Sequence, residues 1–533
     1  MRVRDYHIRK AEGEGQGGSA GILPALEHRH LACLSGFCQT LRPMRTLTAF
    51  TGLCIVTGML VAQHSSSALE EGFEAINPNS VYATCSELAS ARFRGRLTGD
   101  EGYTEMSRWA AGVLAASKIK PAMAGNRYLQ EFKTQHTIID QASITLFLPG
   151  ETGANQSEKR LEPFTDFLPL LYSDSGEKTR HVVFAGWGIS APELGYDDYA
   201  GIDPHDKFVL CFRGTPDPAD SRFTEYDEHR TRMATALKKG AAGLLYIYDE
   251  PLANPNGDWL ARFMPAILSA RVADLMLKTC GLESKKLQED LLKYKKPLSF
   301  PLNATITFKV VSRHFPNSTG YNVCGLLEGA DPQLRKQIIV VGAHADHCGE
   351  HMSALFPGAN DNASGAAVVM EMARAFASLK VRPRRSLVFV LFGGEETGLQ
   401  GSRYFADHLS DLPGTVVGML NFDMAGAGDG ASCGYSATPD YIEKIVGGAD
   451  QRVGILRASR PIRRVGVRSS DFAPFFLKGI PCLSFSSNGP HLAYHQRGDT
   501  IFRVNPHMLA AMTRLGFASA YLLADRPGEQ ATE

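Results

Sequence analysis

What this 533-residue chain lacks narrows its function before any motif is read. It has no charge excess, since 56 Lys and Arg stand against 56 Asp and Glu. No global field therefore draws it to nucleic acid or to an anionic membrane. Its best candidate for a membrane span, Leu47 to Ala62, has sixteen residues, short of the about 20 that a spanning helix needs. Beyond residue 68 only Cys85, Cys211, Cys280, Cys324, Cys348, Cys433 and Cys482 remain, and none form a CxxC or CxxxC pair. A thiolate zinc site and a disulfide-dense scaffold are excluded, while one or two unassigned disulfides remain open. Neither an internal repeat nor a low-complexity tract occurs after Ala68. Apolar residues make up 44% and charged residues 21%, the balance of an ordinary globular protein with ample material for a core.

The first 43 residues are rich in Gly, His and Arg and show no sustained periodicity. Met44 opens a different pattern. Arg45 supplies a positive start, Leu47 to Ala62 an apolar stretch, and Ser66-Ser67-Ala68 a small-residue cleavage site. This predicts a secretory signal peptide, a translation start at Met44 and a secreted, periplasmic or extracellular product. The rival is an uncleaved N-terminal anchor.

Residues 100–119 carry Met106, Trp109, Ala110, Val113 and Leu114 at helical spacing. YLQEFKTQHTI and SITLFLP read as strands. From Phe164 the pattern becomes β-rich, with HVVFAGWGIS, FVLCF and AAGLLYIYDE as strands and Arg230–Gly240 as a helix. From Tyr321 strand and helix alternate: QIIVVGA, SGAAVVMEMARAFASL, SLVFVLF, GSRYFADHL, VVGMLNF, IPCLSFS and a closing helix at 506–523. Unbroken apolar strands between helices predict an α/β fold whose mostly parallel sheet is covered on both faces.

Ligands in such sheets bind beyond the carboxyl ends of the strands. After QIIVVGA come His344 and Asp346. After SLVFVLF and two glycines come Glu395 and Glu396. After VVGMLNF comes Asp423, and after IPCLSFS and a loop come Tyr494 and His495. PGANDNASG adds Asp361 between the first strand and its helix. Singly, each residue has an ordinary explanation: a core histidine, a solvated acidic pair or a turn aspartate. Their common structural position does not. Nitrogen and oxygen donors without thiolate suit zinc or a similar divalent ion, and their number suits two metals sharing a carboxylate. His347 and His351 are rival ligands beside His344. Cys348 reads as packing.

GAHADH, GANDNASG, GGEETGLQGS, NFDM and YHQRGDT, in that order, resemble the co-catalytic di-zinc aminopeptidases of the secreted leucyl type. Their superfamily includes glutamate carboxypeptidase and the transferrin receptor. Glu87–Ala122 resembles that family's opening helix. FAGWGI, GYDDYAGID and KKGAAGLLY resemble an inserted protease-associated domain. The implied layout is a leader over 1–68, a peptidase domain over 69–165 and 313–525 around an insertion at 166–312, and a tail over 526–533. The resemblance implies two Zn2+ ions per chain. His344 and Asp423 would bind one, Glu396 and His495 the other, and Asp361 would bridge them. It also implies Glu395 as general base, Asp346 as the partner of His344, Tyr494 as an oxyanion donor and Asp499 with Thr500 as braces of the His495 loop. Asn360 stands where many members have Asp, and Ser470-Asp471-Phe472 where SDH is common.

The implied activity is hydrolysis of N-terminal residues from peptides, with no nucleic-acid partner, no stable membrane span and an open oligomeric state. Two rivals remain. Arg457, Arg460, Arg463, Arg464 and Arg468 would suit a substrate carboxylate, as in a carboxypeptidase or deacylase of the same superfamily. A non-catalytic, receptor-like member is the other, although such members lose ligands that are all present here.

Overall fold

The computed structural model describes residues 67–150, 156–428, 432–455 and 470–527. The segment up to Ser66, expected to hold a signal peptide, and the five arginines from Arg457 to Arg468 lie outside them. The description concerns the unit Ala68–Glu533.

Helices α1 (Pro78–Leu88) and α2 (Glu101–Ala116) lie before the first long strand, β1 (Leu129–Pro149). There follow β2 (Gly176–Ala185), β3 (Phe208–Phe212), α3 (His229–Lys238), β4 (Gly243–Tyr248), β5 (Ala266–Ser269) and the 29-residue β6 (Ser299–Leu327). The C-terminal half contains β7 (Gln337–His344), α4 (Gly365–Ser378), β8 (Ser386–Phe392), α5 (Gln400–Asp407) and β9 (Thr415–Phe422). It closes with β10 (Cys433–Thr438), β11 (Cys482–Ser487) and α6 (Pro506–Ala524).

The strands form one continuous sheet in the order β10-β11-β9-β7-β8-β6-β2-β3-β4-β5. Its centre is parallel: β7 pairs in parallel with β8 and β9, and β9 with β11. β6 and β10 are antiparallel to their neighbours.

Period-two alternation sorts the apolar side chains between two layers. Ile339, Val341, Leu387, Phe389 and Leu391 enter a core with α1, α2, α4 and α6. Ile338, Val340, Val388, Val390 and Phe392 enter the opposite core with Phe405 of α5 and Phe475. Truncating buried Phe389 to Ala costs roughly 3–5 kcal/mol. α4 is buried from Gly365 to Ala373, so its all-round apolar sequence matches its place between sheet and helices. The β-rich region alternates in the same way. Phe208, Leu210 and Phe212 face one of its cores, and Val209 and Cys211 the other.

Two features depart from expectation. The segments expected as separate strands around 128–148 form the single strand β1, which pairs with β6 almost end to end. β6 carries the sheet from β2 at Ser299–Val310 to β8 at Val323–Leu327. The opening element is also not one helix over Glu87–Ala122. α1 ends at Leu88, and Arg94 and Gly95 adopt positive φ (49° and 72°) before α2 begins. The seven cysteines are free thiols. Among the described residues no helix is long and apolar enough to cross a membrane.

Candidate metal centre

The parallel strands deliver the polar residues to one sheet edge. β7 ends on His344 itself. β8 stops at Phe392, and Gly393 and Gly394 turn the chain into Glu395 and Glu396; Gly394 has φ +68°. β9 stops at Phe422, immediately before Asp423. Asp361 lies in the turn at Ala359–Ser364 that leads into α4, and His495 in the loop between β11 and α6. Gly358 opens the Asp361 turn at φ +54°, where a Cβ would stand 2.4 Å from the His347 ring; a larger residue would push the turn off the site.

His344 Nε2 is 3.5 Å from Asp361 Oδ1 and 3.5 Å from Asp423 Oδ1. His495 Nε2 is 3.1 Å from Asp361 Oδ2 and 2.9 Å from Glu396 Oε2. Asp361 thus presents one oxygen to each group. Ligand atoms on a tetrahedral zinc with bonds of about 2.0–2.1 Å lie about 3.3 Å apart, so both spacings suit a shared cation. His344 Nε2, His495 Nε2, Asp423 Oδ1 and both Asp361 oxygens are buried without a hydrogen-bond partner. Orphaned buried atoms of this kind are costly and call for an ion. The donor set fits two divalent cations of the zinc type.

Burial pushes the His344 imidazole down, but Glu395, Asp346 and Asp423 outweigh it and hold it well above the ordinary histidine range. His495 behaves alike under Glu396 and Asp361. Burial also acts on both adjacent glutamates, with opposite results. It drives Glu395 well above the usual carboxylate range, whereas His495 and His347 hold Glu396 well below it. Environments that separate two carboxylates in this way separate their roles. Burial raises the Tyr494 phenol, and the surrounding carboxylates add to this. Its ring stacks on that of His495, with centroids 3.9 Å apart.

All eight residues singled out in the sequence gather at this edge, with some altered contacts. His344 Nδ1 meets the Asp346 backbone carbonyl at 3.3 Å, and the Asp346 carboxylate only at 3.7 Å. That carboxylate instead accepts the N–H groups of Glu395 and Glu396 at 3.2 and 3.3 Å. Asp346 therefore sets the glutamate turn. Asp499 accepts the N–H groups of Asn360 and Asp361, bracing the Asp361 turn. His351 is engaged elsewhere: Nδ1 accepts from Ile139 N, and Nε2 donates to Cys348 O. Burial pushes the Cys348 thiol well up and so disfavours the thiolate.

Other residues also shape the centre. His347 Nδ1 lies 2.8 Å from Glu396 Oε1 and fixes that carboxylate. Ser470 Oγ donates to Asp423 Oδ2 at 2.7 Å. Arg96, wholly buried, donates to the carbonyls of Leu88, Ala345, Pro357 and Gly358 at 2.6–2.8 Å. It ties the His344 strand end to the Asp361 turn and places a positive charge behind the acidic cluster. Its only sequence signal is the neighbouring Gly95. Beside Tyr494 opens a cleft of about 490 Å³ lined by Met424, Ala427, His491, Leu492 and Phe502.

Residues 322–520 match the model of Peptidase family M28. Aminopeptidase YwaD of Bacillus subtilis is 26% identical over 504 residues, covering 90% of this chain and 93% of that protein. The structure resembles an aminopeptidase from Aneurinibacillus sp. strain AM-1, with TM-score 0.61 and 22% identity, over 87% of this chain and 98% of that one. It also resembles a Peptidase M28 precursor from Shewanella amazonensis, with TM-score 0.64 and 18% identity, over 88% and 98%. The strand-end donors His344, Asp361, Glu395, Glu396, Asp423 and His495 all lie within the residues, 322–520, that match the model of Peptidase family M28.

Proposed function

We propose that this chain is a zinc-dependent aminopeptidase that removes N-terminal residues from peptides. The observation that carries the reading is the set of unpartnered, buried donor atoms arranged around one shared aspartate. The names of the relatives, aminopeptidase among them, support it.

His344 and Asp423 would hold one zinc ion, Glu396 and His495 the other, and Asp361 both. Zinc bound there would supply Lewis acidity toward the scissile carbonyl and lower the pKa of a water toward about 7. Glu395 accepts the proton released by the attacking water, at a carboxylate whose affinity for protons burial has already raised. It then returns that proton to the departing amine. Tyr494 keeps its hydroxyl proton and donates a hydrogen bond to the oxyanion. The cleft beside it receives the side chain of the N-terminal residue, and Met424, Leu492 and Phe502 make its wall apolar.

Residues 166–312 are read as the protease-associated insertion on the motifs quoted above. Export rests on the Met44–Ala68 pattern, which lies almost wholly outside the described residues.

One experiment tests the reading. Purified protein is incubated with free, N-acetylated and C-amidated forms of the same peptides, with and without chelator, and the products are weighed by mass spectrometry. Stepwise loss from free N-termini, abolished by chelator and restored by zinc, is expected. Loss only from free C-termini would replace the aminopeptidase reading with the carboxypeptidase one.

A further inference from the structure

The β-rich region reaches into the metal centre through one loop. The chain leaves β4 at Tyr248 and runs through 249–258 before turning away. Within that loop Ala253, wholly buried, exchanges two hydrogen bonds with His495: Ala253 N donates to His495 O at 2.8 Å, and His495 Nδ1 donates to Ala253 O at 2.7 Å. Gln496 adds a hydrogen bond to Glu250. The nitrogen of His495 that faces the other donors is Nε2. Its opposite nitrogen is therefore held by a backbone carbonyl from a segment more than 200 residues away in sequence.

This anchor has mechanical work to do. His495 has φ +55°, a left-handed conformation that is unfavourable for a non-glycine residue. The reciprocal pair with Ala253 offsets that cost. It also fixes the ring orientation and the tautomer that presents an Nε2 lone pair to a metal.

The loop in turn hangs on α3. Arg230 Nε donates to Asp258 at 2.9 Å, Nη1 to Asn256 at 2.6 Å, and Nη2 to the Thr397 carbonyl at 3.3 Å. Thr397 directly follows Glu396. Asn254 also lies 2.8 Å from His229 Nε2. One guanidinium thus touches both the loop that orients His495 and the turn that carries Glu396. These are the two residues unique to the same proposed zinc position.

We infer that the β-rich region is a structural part of the metal centre, with Arg230 as a positioning residue that sets the affinity of the Glu396–His495 position alone. The inference rests on the zinc reading above. The His344–Asp423 position has no contact with this loop in the hydrogen-bond network among the described residues, so the effect is selective for one ion.

The test uses the full chain, with zinc titrated against a competing chelator and Co2+ substituted for its visible spectrum. Arg230→Ala is expected to retain one ion at wild-type affinity and to bind the second about 10–100-fold more weakly, with a changed cobalt spectrum. Asn256→Ala, which removes one partner of the guanidinium and leaves Arg230 in place, is expected to weaken the same ion. Arg222→Ala, in the same region but remote from the loop, should change neither ion. Two ions bound at wild-type affinity in both Arg230→Ala and Asn256→Ala would overturn the inference, as would equal weakening of both ions. A wild-type chain that binds no zinc would instead overturn the zinc reading itself.

Discussion

His351 offers a quantitative test of how the region behind the metal centre is held. Its ring is 1% exposed, and burial pushes the imidazole down from 6.5 to about 4, against the opposing hydrogen bond to Cys348 O. Nδ1 must stay unprotonated to accept from Ile139 N, so protonation breaks a contact between β1 and the segment that follows His344. The unfolded chain takes up its proton near pH 6.5, whereas the folded chain refuses it until about pH 4. The stability that neutral His351 contributes is therefore fully present above about pH 6.5 and is lost as pH falls toward 4. The separation between about 6.5 and about 4 sets a ceiling of about 3 kcal/mol, of which about 2 kcal/mol is lost by about pH 5. The assay is urea unfolding of chelator-treated protein at about pH 7.5 and about pH 5, comparing wild type with His351→Gln. Chelation removes the pH dependence of metal binding, and the difference between the two proteins cancels groups common to both. The variant should be less stable at the higher pH, and the gap should close by about 2 kcal/mol at the lower. Parallel profiles would refute the reasoning, because they would mean that the folded protein accepts the His351 proton without penalty.

Arg96→Met strips the buried donors from four carbonyls and should cost roughly 4 kcal/mol or more in denaturant unfolding of the metal-free protein; a loss below about 1 kcal/mol would show that water takes over those carbonyls. Glu395→Gln should keep its zinc, measured by elemental analysis, while turnover falls about 10²–10⁴-fold. Tyr494→Phe should lower kcat about 10²-fold with little change in KM, as expected for a donor used mainly in the transition state. Asp499→Ala frees the amides of Asn360 and Asp361 and should weaken both zinc ions together under the proposed bridging role of Asp361; loss of one ion only would contradict that role.

The legible part of this protein is the part that side-chain type controls. Unbroken β-branched runs such as QIIVVGA can be satisfied only by burial on both faces, so the parallel centre and its strand ends follow from the pattern. The strand-end rule then brings His344, Glu395, Glu396, Asp423 and His495 to one edge without any side-chain coordinates. What failed to show has a common physical origin. The break between α1 and α2 depends on the positive φ of Arg94, which no propensity signals. The merging of two expected strands into β1 depends on a partner, β6, long enough to pair with all of it. The sequence pairs Asp346 with the His344 ring, which lies 3.7 Å from its carboxylate, but carries no sign that the turn after β8 also points two amide N–H groups at that carboxylate.

Backbone groups explain the remaining omissions. Arg96 and Arg230 are ordinary arginines in sequence, and each acquires its role from carbonyls gathered by the fold. Ala253 is more extreme, because the atoms that hold His495 are its amide and carbonyl, which every residue except proline carries. No residue type at position 253 could have advertised that contact. A site built from side chains can be read from a string, but its orientation is set by peptide groups whose identity is uniform and whose placement is purely topological. The continuity of the sheet through β6 decides that placement here. It brings the loop after β4 and the turn after β8 close enough for one guanidinium to touch both. Substitutions that leave every presumed ligand intact but shift β6 against β8 should therefore change metal affinity, since the second nitrogen of His495 answers to the sheet and not to its own loop.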